Sequence, residues 1–163
     1  MSEVSHAALG ARMLDFVRRT PNRTFVLYPA LVLSTEVVVQ QGWPRLNWRY
    51  APLLVWGYLQ YRLCGQYRRS EGGGGPGIDV APNDLVTSGP YTVVRNPMYL
   101  GHLIFLAGLA LFARSWLGLL LLAGTAWWFD ARVAADEQHL ADQFGARYRE
   151  YQARVRRWVP GLV

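Results

Sequence analysis

The sequence contains no lysine and only one cysteine, Cys64. A single cysteine excludes an intramolecular disulfide and a zinc site made of several cysteines. Pairs of histidines with metal-ligand spacing are also missing, because no second histidine lies near His102 in the sequence. We therefore predict that the protein has no metal site.

The glycine-rich stretch EGGGGPG (71–77) lacks the features of a phosphate-binding loop. Such a loop opens a helix after a strand and is followed by Lys-Ser or Lys-Thr. The stretch is typical of a flexible linker instead. The net charge of +6 comes with no nucleic-acid-binding motif. Basic segments that alternate with apolar ones favour a membrane surface over nucleic acid as the partner.

Hydrophobic residues make up 52% of the chain and are concentrated in segments long enough for membrane helices. The first two segments are residues 24–40 and 48–64, and the first would be about 26 Å long as a helix. Glu36 lies near the end of the first segment. A carboxylate at that position either reaches the membrane interface or serves a function inside the membrane.

The third apolar region, residues 98–129, is too long for one span. As a single helix it would extend about 48 Å, whereas the hydrocarbon core is about 30 Å thick. Arg114 lies at its middle, where burial of its charge would cost about 2.5–3.5 kcal/mol. We therefore predict a hairpin of two helices, 98–113 and 116–130, with Arg114 and Trp116 at the interface.

Four spans place both chain termini on the same side of the membrane. Arg45, Arg49 and Arg114 lie in the loops of one side, and all other arginines lie in the N-terminal segment, the 62–97 connection and the C-terminal tail. The positive-inside rule therefore places both termini in the cytoplasm. We expect an integral membrane protein of a bacterial inner membrane.

The polar ends of the chain predict amphipathic helices. The apolar stretch 7–17 is interrupted by Arg12 and Asp15, so it is not a cleavable signal peptide. After the last span, five apolar residues recur at spacings of three and four, which predicts one face of a single helix. These residues are Leu140, Phe144, Tyr148, Tyr151 and Val155.

The predicted fold class is thus all-α, a membrane helical bundle of about four transmembrane helices with a cytoplasmic C-terminal amphipathic helix. We expect a single domain over residues 1–163. Its parts are an N-terminal amphipathic segment (1–23), the first two spans (24–64), a cytoplasmic connection (65–97), the helical hairpin (98–130) and the C-terminal helix (131–163).

The second half of the chain carries three specific sequence blocks. They are LVTSGPYTVVRNPMYLG (85–101), DEQHL (136–140) and FGARYREYQARVRRWVP (144–160). Together they resemble the isoprenylcysteine carboxyl methyltransferase and phospholipid methyltransferase superfamily. Its pattern is approximately L-V-T-x-G-P-Y-x-x-V-R-H-P-x-Y-x-G, then E-E-x-x-L, then F-G-x-x-Y-x-x-Y-x-x-x-V-x-R-W-I-P.

The resemblance implies an integral membrane enzyme that holds S-adenosylmethionine at the cytoplasmic ends of its last helices. It also implies that membrane lipids surround the protein and that a lipophilic methyl acceptor comes from the bilayer. Asp136 and Glu137 correspond to the paired acids of the family. The positions that the resemblance assigns to cofactor contact are Leu85, Val86, Tyr91, Asn96, Pro97, Met98 and Tyr99.

The residue types suit this ligand. Tyr91 and Tyr99 offer aromatic faces to a sulfonium cation, a contact worth about 0.5–2 kcal/mol. Arg95 suits the methionyl carboxylate or a lipid phosphate as a two-pronged donor. Gly101 permits close approach of the backbone or the cofactor. Each residue also has a purely structural interpretation, in which Arg95 is interfacial, Tyr91 belongs to an aromatic belt and Tyr99 packs between helices.

Glu137 and Arg132 are the candidates for the catalytic step. Glu137 or Asp136 suits the cofactor ammonium or ribose hydroxyls, and Glu137 can help remove a proton from an amine or thiol acceptor. Arg132, one helical turn earlier, is placed to face the polar group of the acceptor. The alternatives are a solvated acidic face and an arginine that merely flanks a span.

One position departs from the family pattern. The histidine that usually precedes the proline is Asn96 here, which keeps a hydrogen-bond donor and an acceptor but cannot take up a proton near neutral pH. Any member chemistry that needs a base at this position is therefore in doubt for this chain.

The sequence predicts methyl transfer from S-adenosylmethionine to a lipophilic or amphiphilic acceptor. A lipid amine, a prenylated carboxylate and a small thiol all remain open as acceptors, and the oligomeric state is not readable. Two rival interpretations are an NADPH-dependent membrane reductase of the sterol-reductase type and a non-catalytic membrane scaffold with the same fold.

Overall fold

The computed structural model describes residues 13–73 and 83–158, and every regular element in these ranges is helical. Of the predicted N-terminal helix, residues 13–18 are helical and a bend follows at Arg19. Its first part lies outside the described residues. Of the predicted linker (71–77), Glu71 and Gly72 belong to the helix Ala51–Gly72, and residues 74–77 lie outside the described residues. The all-α fold class is therefore confirmed for the described part of the chain.

Helix α1 (Tyr28–Val39) corresponds to the first predicted apolar segment. It continues from one α-helical turn (Thr20–Asn22) and a π-helical turn (Arg23–Leu27). A π turn adds one residue per turn and shifts which side chains face the neighbouring helices. Glu36 is buried in the last part of α1 and accepts a hydrogen bond from Gln40 Nε2 at 2.9 Å.

Helix α2 (Ala51–Gly72) begins after a 3₁₀ turn (Trp48–Tyr50). Pro52 lies in its first turn, where the missing backbone N–H has no helical partner to lose. The helix continues well past the predicted end of the second span at residue 64. The first part of the expected cytoplasmic connection is therefore helical.

At the position of the predicted hairpin, helix α3 (Pro97–Ala113) is followed by helix α4 (Trp116–Phe144). Arg114 adopts the left-handed conformation that ends α3, with φ 53°. Ser115 then caps α4, and its Oγ accepts a hydrogen bond from the Gly118 N–H at 3.3 Å. A charged residue followed by a capping serine is thus the turn between the two helices.

The predicted boundary at residue 130 and the single C-terminal helix are wrong. Helix α4 runs through to Phe144, because residues 130–144 contain neither glycine nor proline. Gly145, with φ 55°, ends it, and a separate helix α5 (Ala146–Arg154) follows. The apolar residues assigned to one helical face nevertheless pack together across this break, against Leu85.

Helices α2 and α3 cross at very short distance. A Cβ on Gly57 would lie 2.5 Å from the Phe105 N atom, and one on Gly101 would lie 2.7 Å from the Tyr61 N atom. Small residues that let backbones approach are typical of helix pairs in membranes. The main apolar core lies beside this crossing and includes Val32 and Leu106.

Within the described ranges, one helix is both long and apolar enough to cross a membrane, Trp116–Phe144, and Pro97–Ala113 is apolar but shorter. The arrangement of four spans is not confirmed and stays a prediction. On α4, Trp116 is 81% exposed, Leu120 70% and Trp127 77%. Large apolar side chains left uncovered on one helix fit contact with lipid.

Candidate functional site

A cavity of about 120 Å³ lies between the loop that precedes α3, the start of α3, the polar second half of α4 and α5. All the predicted cofactor-contact residues except Pro97 and Gly101 line it. The structure thus brings residues of the 85–101 block and of the 136–140 block together in one cavity. Residues that the sequence did not assign to the site complete the lining: Arg68, His139, Leu140, Tyr148 and Tyr151.

Arg95 and Glu137 form a two-pronged ion pair at one side of the cavity. Arg95 Nε donates to Glu137 Oε1 at 2.9 Å, and a terminal guanidinium nitrogen donates to Oε2 at 3.1 Å. The side chains are only 11% and 6% exposed. The remaining guanidinium nitrogen donates to the backbone carbonyls of Gln152 and Val155. Arg95 is therefore engaged on three sides within the protein.

Glu137 is the centre of a larger network. Arg157 donates to Glu137 Oε2 through Nε at 3.2 Å and through a terminal nitrogen at 2.9 Å. Asn96 Nδ2 lies 3.4 Å from Oε1 and Gln152 Nε2 3.5 Å from Oε2. Burial alone would raise the pKa of the Glu137 carboxyl, but the hydrogen bonds and charges of Arg95 and Arg157 outweigh it and lower the pKa.

Asp136, the other acid of the pair, contacts different residues from those that Glu137 binds. Tyr99 donates its hydroxyl proton to Asp136 Oδ2 at 3.0 Å. Arg132 Nε lies 3.4 Å from Asp136 Oδ1, so Arg132 supports the carboxylate from the turn before. The Tyr99 ring packs edge-to-face on Phe129 at 4.6 Å between centroids. These contacts fix the Tyr99 ring at the cavity wall.

Three buried tyrosines, Tyr91, Tyr148 and Tyr151, also line the cavity. Tyr151 donates its hydroxyl proton to the Tyr91 carbonyl at 2.7 Å, which ties α5 to the loop before α3. Burial raises the pKa of Tyr91, Tyr148 and Tyr151 above the ordinary value of a phenol. All three are therefore neutral hydrogen-bonding groups with apolar rings near neutral pH.

Three predicted site residues lie outside the cavity lining. Pro97 opens α3, and its carbonyl accepts a hydrogen bond from Gln60 Nε2 at 3.0 Å. Gly101 lies against α2 at the helix crossing described above. Arg132 lies behind Asp136 and is 35% exposed.

The sequence reasoning did not assign Arg68, His139 or Arg157 to the site. Arg68 lies on α2 beyond the predicted second span, and only the unexpected length of that helix brings it to the cavity. His139 belongs to the DEQHL block, so its position next to the paired acids was a usable signal. Arg157 was counted only among the arginines of the C-terminal tail, whereas it binds Glu137 and Asp130.

The comparisons with known proteins show a similarity over the segment that contains most of this site. Residues 77–147 match the family model for phospholipid methyltransferases. This match covers most of the cavity lining and confirms the resemblance to the superfamily of integral membrane methyltransferases.

Two curated proteins that the sequence is similar to are both isoprenylcysteine O-methyltransferases. Over 77 residues, 47% of this chain, the sequence is 32% identical to protein-S-isoprenylcysteine O-methyltransferase of Schizosaccharomyces pombe. It is 36% identical over 77 residues to protein-S-isoprenylcysteine O-methyltransferase B of Arabidopsis thaliana, again over 47% of this chain. The matched segment spans only 33% and 39% of the lengths of these two relatives.

Proposed function

We propose that this protein transfers a methyl group from S-adenosylmethionine to a lipophilic acceptor, with a prenylated carboxylate as the favoured class. The observation that carries the proposal is the single cavity that gathers the motif of the loop before α3 with both acids of α4. The names of the two relatives support O-methylation of an isoprenylated cysteine over methylation of an amine or a thiol.

The residues of the cavity fit the methyl donor group by group. S-adenosylmethionine carries a sulfonium, which supplies the methyl group, together with an ammonium, a carboxylate, a ribose diol and an adenine. The rings of Tyr91, Tyr99 and Tyr148 suit the sulfonium and the adenine, because an aromatic face attracts a cation and stacks on a base. Asp136 is the acid best placed for the ammonium or the ribose hydroxyls.

For the methionyl carboxylate, Arg68 is a better candidate than Arg95. Arg95 already spends its donors on Glu137 and on two carbonyls. Arg68 lines the cavity and makes no hydrogen bond or ion pair with the other described residues. A guanidinium with unused donors is the group that a ligand carboxylate needs.

The chain acts on the reaction by holding the two reactants rather than by a covalent step. Attack on a methyl carbon requires nucleophile, carbon and sulfur in line, and such positioning lowers a barrier by about 7–11 kcal/mol at best. A carboxylate acceptor is already ionised near neutral pH and needs no general base. Glu137 then serves as a positioning residue that fixes Arg95 and Arg157. Arg132 lies outside the cavity lining and pairs with Asp136, and it is the arginine that we propose for the carboxylate of the acceptor.

The proposal includes the orientation of the protein in the membrane. The polar half of α4, residues 130–144, lies on the cytoplasmic side with both chain termini, in a bacterial inner membrane. The cavity would then open at the surface where the bilayer meets the cytoplasm. Proteolysis of sealed vesicles with a tag at either terminus tests this orientation.

Isothermal titration of the detergent-solubilised protein tests donor binding. We expect saturable binding of S-adenosylmethionine and of its demethylated product, weakened about tenfold or more by Arg68→Gln, the loss of one charged hydrogen bond. Arg69→Gln is the matched control, since this neighbouring arginine is exposed and outside the cavity. An intact protein that binds neither compound would overturn the proposal.

A second assay addresses the acceptor. Transfer of labelled methyl from the donor to a farnesylated cysteine analogue is compared with transfer to phosphatidylethanolamine. Label that is lost on mild base treatment identifies a methyl ester and supports the carboxylate. Base-stable label on the phospholipid would reject the carboxylate in favour of the amine.

A further inference from the structure

A second cavity, of about 180 Å³, lies between the start of the first membrane segment and the apolar half of α4. The methyl-transfer site does not use it, and the two cavities share no lining residue. On one side it is lined by the π-helical turn and the residues around it, and on the other by one face of α4 from Leu120 to Trp128.

The cavity is polar at one end and apolar at the other. Thr20 and Arg23 lie at the beginning of the first segment, opposite Trp128 of α4. Tyr28 and Leu120 lie about two helical turns further into the bundle on their respective helices, roughly 12 Å along each axis. This gradient matches an amphiphile that lies parallel to the helices.

Arg23 carries an unused binding capacity. Its guanidinium stacks on the Trp128 ring at 4.9 Å from the centroid, and a terminal nitrogen reaches Thr20 Oγ1 at 3.5 Å. Its Nε is buried and has no hydrogen-bond partner among the described residues. A buried donor on a charged group is costly to leave unpaired, so an anionic ligand would satisfy it.

The opposite helix leaves room for that ligand. A Cβ on Gly124 would meet no atom within 4 Å, so glycine keeps this side of the cavity open. Leu120 is 70% exposed, and Trp127, next to Trp128, is 77% exposed. The cavity therefore opens onto the surface of α4 that is suited to lipid rather than onto the methyl-transfer site.

We propose that this second cavity binds the anionic headgroup of a membrane phospholipid. Arg23 pairs with the phosphate, Thr20 and Thr125 add hydroxyl groups, and an acyl chain lies along Leu120 and Leu121. The site is distinct from the acceptor site and would hold its lipid whether or not a methyl donor is bound. A phosphate with a net negative headgroup is the favoured occupant because Arg23 brings the only charge in the described lining.

Native mass spectrometry of the detergent-solubilised protein tests the proposal with phosphatidylglycerol as the probe. We expect one saturable adduct, bound more tightly than phosphatidylcholine, and about tenfold weaker binding in Arg23→Gln. Arg19→Gln removes the same charge one turn earlier, from a side chain that is 68% exposed, and should leave binding unchanged.

A second variant separates the cavity from its charge. Gly124→Leu keeps Arg23 but fills the open space, and we expect it to weaken the adduct as much as Arg23→Gln does. Thermal unfolding and donor binding of each variant show that the bundle is intact. Equal losses in Arg19→Gln and Arg23→Gln, or full binding in Gly124→Leu, would overturn the proposal. Glycerol phosphate that binds as tightly as the lipid would overturn it too, because the acyl contacts would then contribute nothing.

Discussion

Arg95 and Glu137 are 42 residues apart in the sequence, yet their side chains meet as a parallel pair with nitrogen–oxygen distances of 2.9 and 3.1 Å. The pair joins the loop before α3 to the polar half of α4. Because Arg95 also donates to carbonyls near the end of α5, one side chain holds three parts of the site together. The cavity that Arg95 and Glu137 line therefore depends on this pair for its shape.

The first prediction concerns the stability that this pair provides. Arg95→Gln should lower the free energy of unfolding by about 3 kcal/mol, the low end of the range for a broken buried pair, because Arg157 still neutralises Glu137. The measurement is the thermal unfolding midpoint in detergent. Arg149→Gln is the control, since Arg149 is exposed. Equal midpoints for the two variants would show that the pair contributes no net stability.

The second prediction concerns pH. The folded protein lowers the pKa of Glu137, so its contribution to stability is complete above the unfolded carboxyl pKa of about 4.3 and is lost as pH falls through the lower folded value. The thermal unfolding midpoint should therefore decrease as the pH is lowered below about 4. In Glu137→Gln this decrease should be smaller. Glu150→Gln, at an exposed side chain, should keep the wild-type profile. An unchanged acid profile in Glu137→Gln contradicts the prediction.

The third prediction separates the hydroxyl of Tyr99 from its ring. Tyr99→Phe removes the hydrogen bond to Asp136 and should weaken donor binding about fivefold, the effect of one hydrogen bond of about 1 kcal/mol. Tyr99→Ala also removes the aromatic face.

The demethylated product distinguishes these two effects because it lacks the sulfonium charge. Tyr99→Ala should weaken the binding of S-adenosylmethionine more than that of S-adenosylhomocysteine. Tyr99→Phe should weaken the binding of both ligands equally. Titration calorimetry of both ligands provides the comparison. Equal losses for the two ligands in Tyr99→Ala would exclude a cation–π contact at this ring.

The fourth prediction concerns the helix crossing. Gly101→Leu should prevent the close packing of α2 and α3, because even a Cβ would lie 2.7 Å from the Tyr61 N atom and 2.8 Å from the Gly57 carbonyl. Backbone atoms cannot move aside as a flexible side chain can. We expect loss of the peak of folded protein in size-exclusion chromatography. Gly124→Ala, which meets no atom within 4 Å, should fold normally; a well-folded Gly101→Leu would contradict the argument.

The fifth prediction concerns the departure from the family pattern. Asn96 Nδ2 reaches Glu137 at 3.4 Å and the Arg157 carbonyl at 3.5 Å, so this residue acts here as a hydrogen-bond donor. Asn96→His keeps a hydrogen-bond donor, so its rate of methyl transfer should stay within about threefold of the wild-type rate. Asn96→Leu leaves the partners of Asn96 unsatisfied, so its rate should be about tenfold lower. A strong gain in rate with histidine, dependent on pH near 6.5, would instead indicate a role as a base.

Local features explain why the hairpin and the cavity motif were predictable. A charge in the middle of an apolar stretch excludes a single span, and Ser115 supplies the cap for the second helix. The blocks at residues 85–101 and 136–140 carry enough specific residue types to indicate one ligand site. Periodicity also identified the apolar face of residues 140–155, although Gly145 divides it between two helices.

The pairing of side chains was not predictable, because it depends on contacts between distant parts of the chain. The sequence suggested Arg95 for a ligand carboxylate or phosphate but did not indicate that Arg95 and Arg157 bind Glu137. Gly101 was expected to permit close approach of either the backbone or the cofactor, and only the packing of α2 on α3 shows that the backbone lies against it. The length of α2 past residue 64 was equally hidden, since polar helix formers and polar loops share much of their composition.

The sequence by itself determined the helical class, the position of the α3–α4 turn and the chemical character of the site. These follow from residue types and short-range spacing, which act within a few residues of one another. Only the tertiary structure decided which guanidinium meets which carboxylate, and hence that Arg95 and Arg157 both bind Glu137. The physical reason is that a buried charge must find its partner in space, and that choice is made when the helices pack.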